Sequence, residues 1–353
     1  MRSFLIATSW NASPLSVQFR ALAAALENRG HTVQLIVDGH RRVPPGSEGV
    51  SDIATWPSPR PTRLQDFAFL NRLLNQKRPD TVIANFGSVN VCMVMACVRK
   101  VPNRLATYNT LEAQNVLDEG NGLVHRLRRY RKRWVYRLAT EFLAISNAAA
   151  ADLGRTYRVR PERVVVCHPA VAEVAPGPRR ERRRHAVCVG RLDPSKGQDV
   201  VIRALPLVPE LHVAFVGGGP ERERLEALAA RVGVADRCTF RGPVSRDDVY
   251  REMQAATFSV VPSRAEAFGL VAVESLACGT PVIASETGGL PEIVRDGTDG
   301  ALVPPRDPIA LARAMTRCIA SDGSMQDSAR DRFLNNFELT NWVRRVADRL
   351  ERI

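Results

Sequence analysis

The sequence predicts an α/β protein made of two domains, each a doubly wound parallel sheet. Short β-branched segments alternate with longer amphipathic segments along the chain, which is typical of parallel sheets covered by helices on both faces. The length of 353 residues exceeds one ordinary core and fits two domains. A segment rich in Pro, Gly and Arg, AEVAPGPRRERRR at 172–184, separates two similar sets of predicted strands and predicts a linker.

The predicted strands form two sets of six. Those of the first set are 3–8, 33–37, 81–85, 104–108, 142–146 and 163–167. Those of the second set are 186–190, 211–216, 238–241, 257–261, 281–284 and 300–303. Apolar residues at helical spacing predict a last helix over 337–353 that packs back onto a domain. We therefore expect an N-terminal domain over 1–175, joined by that helix, and a C-terminal domain over 176–336.

The composition is that of a globular protein with an anionic partner. Hydrophobic residues make up 45% of the chain and no run of eighteen apolar residues is present, so the sequence predicts no membrane span. The segment MRSFLIATSW fits a first strand better than a signal peptide, and seven cysteines without zinc spacing fit a reducing, cytoplasmic compartment. The net charge of +13 indicates a nucleotide, a nucleic acid or an acidic membrane surface as partner.

The segment GRLDPSKGQ, after strand 186–190, predicts an anion site. It places Gly190, Arg191 and Lys196 between a strand and the start of a helix. A guanidinium and an ammonium beside unpaired helical amides suit a diphosphate, since charge-assisted hydrogen bonds add to the helix dipole. Open sheets bind ligands at the carboxyl ends of their strands, so we expect the site in a cleft between two facing domains. Solvated surface charge is the alternative for each cation taken alone.

Three consecutive glycines, Gly217, Gly218 and Gly219, follow strand 211–216 in FVGGGPERERL. Glycine there permits a close approach of the backbone to a ligand, and it equally permits a tight turn. The spacing does not fit the GxGxxG dinucleotide motif, because no third glycine follows at the required position. We favour the turn.

The segment RAEAFGLVAVES contains two glutamates eight positions apart. Glu266 is expected in the loop after strand 257–261, and Glu274 about one helical turn inside the following helix. Hydroxyl groups of a ribose and a sugar would satisfy both carboxylates in an otherwise apolar segment. The amides predicted to face the same ligand belong to Phe268, Gly269 and Leu270. A solvated loop residue and a salt-bridged helix residue are the alternatives.

Four segments occur in a fixed order: GRLDPSKG, VGGGPERERL, the two glutamates, and CGTPVIASETGGLPEIVRDGTDGALVPPRD. Together they resemble the retaining glycosyltransferases of family four. These enzymes have the GT-B fold, in which two Rossmann-like domains face each other across a cleft. The resemblance is dense over residues 185–315 and loose in the N-terminal half. It implies transfer of a sugar from a nucleoside diphosphate sugar to a saccharide, a lipid-linked saccharide or a small molecule, in envelope polysaccharide or glycoconjugate biosynthesis. Neither a metal ion nor a bound cofactor is implied.

The resemblance also implies residue roles. Arg191 and Lys196 would hold the diphosphate and stabilise its charge as it departs, Glu274 would bind the ribose, and Glu266 the sugar. The base would pack near Arg241 to Val244, in the segment FRGPV. Catalytic contacts are assigned to Arg191, Lys196, Glu266 and Asn109. Donor contacts are assigned to Ser13, Gly190, Arg191, Lys196, Gly218, Val244, Glu266, Phe268, Gly269, Leu270 and Glu274.

The N-terminal half departs from the family pattern. Ser13 and Pro14 stand where the family usually has a Gly-Gly loop, and proline removes an amide donor. Asn109 aligns with a histidine that often contacts the transferred sugar, and asparagine cannot take up a proton at neutral pH. Ala170 replaces a glycine of the family's HPGV turn. These changes affect sugar identity and contact geometry more than the reaction class.

The segment 125–138, HRLRRYRKRWVYRL, predicts a strongly basic helix. Basic residues interleaved with aromatic and aliphatic ones can bind an anionic membrane leaflet, which would give peripheral contact with the inner face of the cell membrane. The alternative is a solvated basic face with a core stripe of Leu127, Tyr130, Trp134 and Leu138. Nucleic acid is disfavoured as partner, because the chain shows no known nucleic-acid module or stacking platform.

Two other functions stay open from the sequence. One is a nucleotide-sugar epimerase of similar fold, disfavoured by Arg191, Lys196 and the spacing of the two glutamates. The other is a non-catalytic nucleotide-sugar-binding scaffold, which Pro14 and Asn109 keep open. Donor hydrolysis or sugar transfer by the pure protein would exclude the scaffold.

Overall fold

The computed structural model describes residues 1–38, 49–120, 122–175, 184–321 and 323–353. Most of the predicted linker, 176–183, lies outside the described residues, so the boundary at 175/176 stays a prediction. The chain divides into two compact units. The first unit comprises Met1–Asn109, Asn121–Ala170 and Leu339–Ile353, and the second comprises Thr110–Gly120 and Val171–Glu338.

The first unit is built on one parallel sheet. Its strands are β1 (Ser3–Ala7), β2 (Thr32–Val37), β3 (Ile53–Thr55), β4 (Thr81–Ala84), β5 (Asn103–Tyr108), β6 (Glu141–Ala144) and β7 (Val164–Val166). Their order in the sheet is β3-β2-β1-β4-β5-β6-β7. Its helices, numbered along the chain, are α1 (Pro14–Asn28), α2 (Leu64–Lys77), α3 (Val89–Val98), α5 (Leu123–Leu138), α6 (Asn147–Tyr157) and α14 (Leu339–Leu350).

The second unit is built on another parallel sheet. Its strands are β8 (His185–Val189), β9 (His212–Val216), β10 (Cys238–Gly242), β11 (Phe258–Val261), β12 (Val282–Ser285) and β13 (Gly300–Val303). Their order is β10-β9-β8-β11-β12-β13. Its helices are α4 (Glu112–Glu119), α7 (Gln198–Ala204), α8 (Arg222–Arg231), α9 (Arg246–Ala255), α10 (Leu270–Ala277), α11 (Leu290–Ile293), α12 (Pro308–Ala320) and α13 (Ser324–Asn336).

The strand pairs confirm the predicted α/β class with parallel sheets. In each sheet the strand order reverses beside the first strand, between β1 and β4 and between β8 and β11. These reversals are the topological switch points at which open α/β sheets bind ligands. All twelve predicted strands are present, with ends that differ by one or two residues, and the last predicted helix is α14. The short strand β3 was not predicted.

Each unit has its own apolar core. In the first unit α1 and α14 cover one face of the sheet, where Phe19 packs edge to face on Trp342 at 5.7 Å between ring centroids. In the second unit residues of α7, α8 and α12 cover one face, and Met253 and Cys278 lie against the other. All seven cysteines are unpaired thiols, and burial raises the pKa of Cys188 to about 12.

Candidate functional site

The switch point of the second unit lies between β8 and β11, and the loops that follow these two strands are fastened to each other. Arg264 in the second loop binds both carboxylate oxygens of Asp199 at 2.7 Å. Its main-chain N–H donates to the carbonyl of Ser195 at 2.7 Å, and its guanidinium donates to the carbonyl of Pro194 at 2.6 Å. The loop that contains Lys196 is therefore held against the loop that contains Glu266.

Lys196 and Glu266 form an ion pair in these loops. The Lys196 Nζ atom lies 2.8 Å from Glu266 Oε2, and the Ser263 hydroxyl donates to the same oxygen at 3.0 Å. Both side chains are mostly buried. The structure thus joins the residue predicted to hold the diphosphate to the residue predicted to hold the sugar.

Glycines make this approach possible. Gly197, directly after Lys196, has φ +69°, and a Cβ atom there would collide with the carbonyl oxygen of Pro262. Gly288, in the loop after β12, has φ +55°, and a Cβ atom there would collide with the carbonyl oxygen of Glu266. The loops that hold the two charged residues are packed at main-chain distance, which glycine permits.

Arg191 is the most accessible cation of this site. Its side chain is 75% exposed, and its Nε atom lies 2.9 Å from an oxygen of the more buried Asp193. The Gln198 side chain donates to the Arg191 carbonyl at 2.8 Å, which fixes the main chain at the start of the loop. The guanidinium is thus anchored on one side and open to an anion on the other.

The three glycines after β9 pack against the loop after β8. A Cβ atom at Gly217 would collide with the carbonyl oxygen of Gly190, and one at Gly219 would lie 2.5 Å from the carbonyl oxygen of Leu192. Gly218 faces the ring of Pro243, whose Cγ would lie 3.2 Å from an added Cβ. This packing favours the turn over a phosphate-binding motif. Contact of Gly190 or Gly218 with a donor stays a prediction.

Glu274 lies in the middle of α10 and pairs with Arg246, the first residue of α9. The Arg246 Nη2 atom donates to Glu274 Oε1 at 2.8 Å, and Arg246 Nε donates to the Tyr250 hydroxyl at 2.7 Å. Burial raises the pKa of Glu274, whereas the charge of Arg246 and its hydrogen bond lower it. The structure does not place Glu274 in contact with Glu266; each carboxylate has its own cation.

Arg246 is a residue that the sequence reasoning missed. It stands in SRDDVY, where Ser245 caps the helix and acidic residues follow, so it reads as a solvated charge in a first helical turn. A signal was nonetheless present. Glu274 lies in an otherwise apolar segment and needs a cation, and Arg246 stands two residues after the predicted base site, FRGPV.

The predicted amides lie at the start of α10. Gly269 is the N-cap at φ +113°, and Leu270 is the first helical residue, as expected. A φ of +113° is a main-chain conformation that residues with a Cβ atom rarely adopt, so the N-cap position favours glycine. The Phe268 side chain is buried and packs on Phe337 at 6.0 Å, so its role toward a ligand is limited to the main chain.

Two further segments border the site. Val244, predicted near the base, is exposed between β10 and α9. Helix α4 contacts the single helical turn Pro194–Lys196 and lies in the second unit, whereas the domain boundary predicted from the sequence places residues 110–120 in the N-terminal domain. Leu111 is buried and would lie 3.3 Å from an added Cβ at Gly288. The segment before α4 thus belongs with the loops that carry Lys196 and Glu266.

Ser13 and Asn109 lie in the first unit. Ser13 is the N-cap of α1, where its Oγ accepts from the main-chain N–H of Ser16 at 3.3 Å. Pro14 follows at the first helical position, where a missing N–H costs least. Asn109 donates from Nδ2 to Asn85 Oδ1 at 2.6 Å and to Thr107 Oγ1 at 3.2 Å. Their predicted donor contacts stay predictions.

The basic helix α5 differs from one alternative drawn from its sequence. Leu127, Tyr130 and Trp134 are 62%, 60% and 53% exposed, so they do not form a core stripe. The helix is instead buried through Val135 and Tyr136. Among the described residues, no helix combines the length and the apolar character that a membrane span requires.

Two doubly wound parallel sheets, with paired cations and carboxylates at the switch point of the second, define the class of two-domain α/β proteins that includes the GT-B glycosyltransferases. Solved structures agree. Sucrose-phosphate synthase from Thermosynechococcus elongatus is 21% identical, with a TM-score of 0.79 over 100% of this chain and 99% of that chain. HepE from Anabaena, in complex with UDP, is 19% identical, with a TM-score of 0.76 over 100% of both chains.

The family follows from two matches along the sequence. Residues 172–336 match the family of glycosyl transferases group 1, and residues 15–173 match glycosyltransferase family 4. This chain belongs to these family-four glycosyltransferases, as predicted.

Among curated relatives, D-inositol 3-phosphate glycosyltransferase of Mycolicibacterium gilvum (strain PYR-GCK) is 40% identical over 202 residues, which cover 53% of this chain and 46% of the relative. The chain thus spans about half the length of the curated relatives it matches.

Proposed function

We propose that this chain is a retaining, metal-independent glycosyltransferase that uses a nucleoside diphosphate sugar as donor. The observation that carries the proposal is the ion pair between Lys196 and Glu266 at the switch point of the second sheet, with Arg191 open beside it. A cation suited to a phosphate and a carboxylate suited to sugar hydroxyls are in contact, as the donor's own diphosphate and sugar are.

Donor binding would exchange the partners of this ion pair. The diphosphate forms an ion pair with the ammonium of Lys196 in place of Glu266, and Glu266 accepts hydrogen bonds from sugar hydroxyls. Ser263 supports the carboxylate during the exchange, because its hydroxyl already donates to Glu266 Oε2. In this exchange Lys196 gains the diphosphate and Glu266 gains hydroxyl donors, so neither charged group loses all of its hydrogen-bond partners.

The chemical step breaks the bond between the anomeric carbon and the diphosphate oxygen. A hydroxyl oxygen of the acceptor forms the new bond on the same face, and its proton passes to the departing diphosphate, so the configuration is retained. Negative charge grows on the leaving group, beside which Arg191 and Lys196 would lie, each held by a carboxylate in the ligand-free protein. Preorganised cations at that point supply the main stabilisation of the transition state.

The comparisons suggest the first substrates to test. HepE was solved with UDP and with UDP-glucose, so a UDP-sugar is our first choice of donor. The named relatives act on a phosphorylated cyclitol, and the proposed acceptor class for this chain is a saccharide or lipid-linked saccharide of envelope polysaccharide or glycoconjugate biosynthesis.

We also propose that the protein works in the cytoplasm, with α5 in contact with an anionic membrane. Leu123, Leu127, Tyr130 and Trp134 repeat at helical spacing and are all exposed. Arg126, Arg133 and Arg137 flank this stripe on one side, and Arg131 flanks it on the other. An apolar stripe between two basic margins fits a helix lying in a membrane interface. Sedimentation with anionic vesicles tests the contact.

Thermal stabilisation by nucleotides tests the donor site. A ligand at about 100 times its Kd stabilises the folded state by about 2.7 kcal/mol, which raises the melting temperature. We expect a shift with UDP or another nucleoside diphosphate that Lys196→Ala abolishes. The control Arg203→Ala removes an exposed cation from α7, and this variant should show the same rise in melting temperature as the wild-type protein. If no nucleoside diphosphate stabilises the wild-type protein, the donor site is wrong.

A further inference from the structure

The second unit has a cavity at the amino ends of β8 and β9. Its volume is about 670 Å³, which falls in the size range of small-molecule sites. His185 and His212, the first residues of these strands, line it. The loop that carries Lys196 begins at the opposite end of β8, about 13 Å along the strand at about 3.3 Å per residue. The cavity is therefore distinct from the candidate donor site.

The two histidines are neighbours on one face of the sheet. Strands β8 and β9 are parallel, and their register pairs His185 directly with His212. Both residues share the strand parity of Val187 and Ala214, which pack in the cluster that contains Met253 of α9. Neighbouring strands lie about 4.8 Å apart, so two imidazoles at paired positions can donate hydrogen bonds to one ligand.

Glu252 of α9 lies beside these rings without a short contact to its cationic neighbours. One of its oxygens is 3.7 Å from His185 Nε2, and the other is 3.4 Å from Arg241 Nε. Hydrogen bonds between a charged nitrogen and a carboxylate are normally about 2.7 to 2.9 Å long. Glu252 therefore keeps His185 and Arg241 near the cavity and leaves hydrogen-bonding capacity on both.

Arginines outnumber carboxylates around the cavity. The charged residues of its lining are Arg184, Arg241, Arg251, Glu210 and Glu252. The His212 ring has no hydrogen-bond partner in the part of the chain that the structure describes. Burial lowers the pKa of His185; Glu252 opposes this shift, and His212 and Arg241 add to it. The cavity thus disfavours one more positive charge and favours an anion.

The lining also indicates which anion fits. Apart from Ala255, the described residues that line the cavity are charged or are histidines, so an apolar chain or a base finds little surface to pack on. Guanidinium groups match the oxygens of a phosphate, and carboxylates accept hydrogen bonds from hydroxyls. Among the described residues, no group of three His, Cys, Asp or Glu side chains is placed to hold a metal ion.

We propose that this cavity binds a small phosphomonoester rich in hydroxyl groups, such as a sugar phosphate, through His185, His212 and Arg184. The phosphate accepts hydrogen bonds from the two imidazoles and the guanidinium, and hydroxyls of the ligand donate to Glu210 and Glu252. The site is independent of the proposed sugar transfer, in which neither histidine nor Arg184 has a role.

NMR signals of the histidine rings test the site, because His185 and His212 report on this cavity. Glucose 6-phosphate is the probe, and the signals are assigned with His185→Ala and His212→Ala. We expect a saturable shift of both rings and a raised pKa of both imidazoles, since a bound phosphate stabilises the protonated ring. D-glucose should have no effect. Absence of a shift with glucose 6-phosphate would overturn the inference.

Inorganic phosphate and sulfate, at the same ionic strength, test how specific the site is. Glucose 6-phosphate should bind more tightly than either ion, because its hydroxyls meet Glu210 and Glu252. Equal affinities for the three would mean an adventitious ion only, and the inference would then be wrong.

Two substitutions test the contacts. His212→Ala should weaken glucose 6-phosphate binding about 3- to 10-fold, the scale of one hydrogen bond, and Arg184→Gln about 10-fold. Both side chains are exposed, so the melting temperature should not change. Arg224→Gln is the matched control, because Arg224 is 53% exposed and pairs with Glu221, as Arg184, 52% exposed, pairs with Glu210. Equal losses of affinity in Arg184→Gln and Arg224→Gln would reflect net charge alone and contradict the site.

Lys196→Ala separates the cavity from the candidate donor site. This variant should lose UDP binding and keep the effect of glucose 6-phosphate on the two histidine rings. Loss of that effect in Lys196→Ala would place the anion at the donor site and overturn the inference. Failure of the wild-type protein to bind UDP counts against the proposed function instead, and it leaves the histidine measurement intact.

Discussion

At the scale of single residues, the site of the second unit consists of charges that are already paired. Lys196 lies on Glu266, Arg246 on Glu274 and Arg191 on Asp193. Such pairs keep charged groups in fixed positions. When one partner is removed, the other remains buried without a counter-charge, and its desolvation is no longer compensated. Substitutions therefore change ligand binding most cleanly when they keep the shape of the side chain.

Glu274→Gln should weaken UDP binding by about 1 to 3 kcal/mol, since hydrogen bonds from ribose hydroxyls to a charged carboxylate are stronger than those to an amide. Isothermal titration calorimetry measures the change. Glu226→Gln is a suitable control, because Glu226 is an exposed residue of α8 that pairs with Arg222. An unchanged UDP affinity in Glu274→Gln would reject the ribose assignment.

Arg246 should set the pH range of UDP binding. Burial raises the pKa of Glu274, and Arg246 lowers it. Tyr250, with its pKa raised to about 12 by burial, faces the same carboxylate and stays neutral. Burial also raises the pKa of Cys278 to about 12, so this thiol stays neutral beside Glu274 as well. UDP affinity should fall as Glu274 becomes protonated at low pH, and in Arg246→Gln the fall should begin at a higher pH.

Measurements of UDP affinity between about pH 5 and 8 test the direction of this shift. The ionisation of UDP itself affects the wild-type protein and the variant equally. Arg246→Lys, which keeps the charge, should restore part of the wild-type profile. Parallel profiles for Arg246→Gln and the wild-type protein would show that Arg246 has a structural role only.

At the scale of elements, glycine decides whether the loops that carry Lys196 and Glu266 can meet. We expect Gly197→Ala to destabilise the second unit by about 2 kcal/mol or more and to abolish UDP binding, because its Cβ would collide with the Pro262 carbonyl. Gly233→Ala has nearly the same φ, +73°, with no atom within 4 Å of the added Cβ.

Urea unfolding of both variants separates backbone strain from the collision. The Gly233→Ala variant should lose about 1 kcal/mol and keep UDP binding. Equal losses in the two variants would mean that the loops adjust to the added methyl group.

Helix α5 should bind anionic vesicles through both its stripe and its charge. Each basic residue near an anionic surface contributes about 1 kcal/mol, and the contribution falls with ionic strength. Leu127→Ser combined with Trp134→Ser should reduce sedimentation with vesicles of phosphatidylglycerol and leave the melting temperature unchanged, since both side chains are exposed. Equal binding to neutral vesicles, or no effect of the double substitution, would contradict the membrane contact.

At the scale of the whole molecule, unfolding of the first unit can be followed by tryptophan fluorescence and unfolding of both units by calorimetry. All four tryptophans, Trp10, Trp56, Trp134 and Trp342, belong to the first unit. Each unit has its own core, so we expect more than one unfolding transition. UDP should raise the calorimetric transition of the second unit more than the transition detected by tryptophan fluorescence. Equal shifts by both methods would show that the chain unfolds as a single unit.

Much of the fold could be predicted, because strands buried on both faces are continuous apolar segments that stand out from helices. Twelve strands, α14 and the loop positions of Lys196 and Glu266 follow from that pattern. Strand β3 was missed since Ile53–Thr55 is too short to show a period. Arg246 and His212 were missed for another reason: one polar residue at the start of a helix or a strand is common, and its partner lies far away in sequence.

The sequence by itself determined the class of the protein and the positions of Lys196, Glu266 and Glu274 after or within their elements, because strand periodicity and the spacing of the motifs are local properties. Tertiary structure decided which charges are paired, which face of α5 is exposed, and which histidines share a cavity. Those outcomes depend on contacts between residues far apart in the chain, such as Lys196 and Glu266 at 70 positions, which no local pattern specifies.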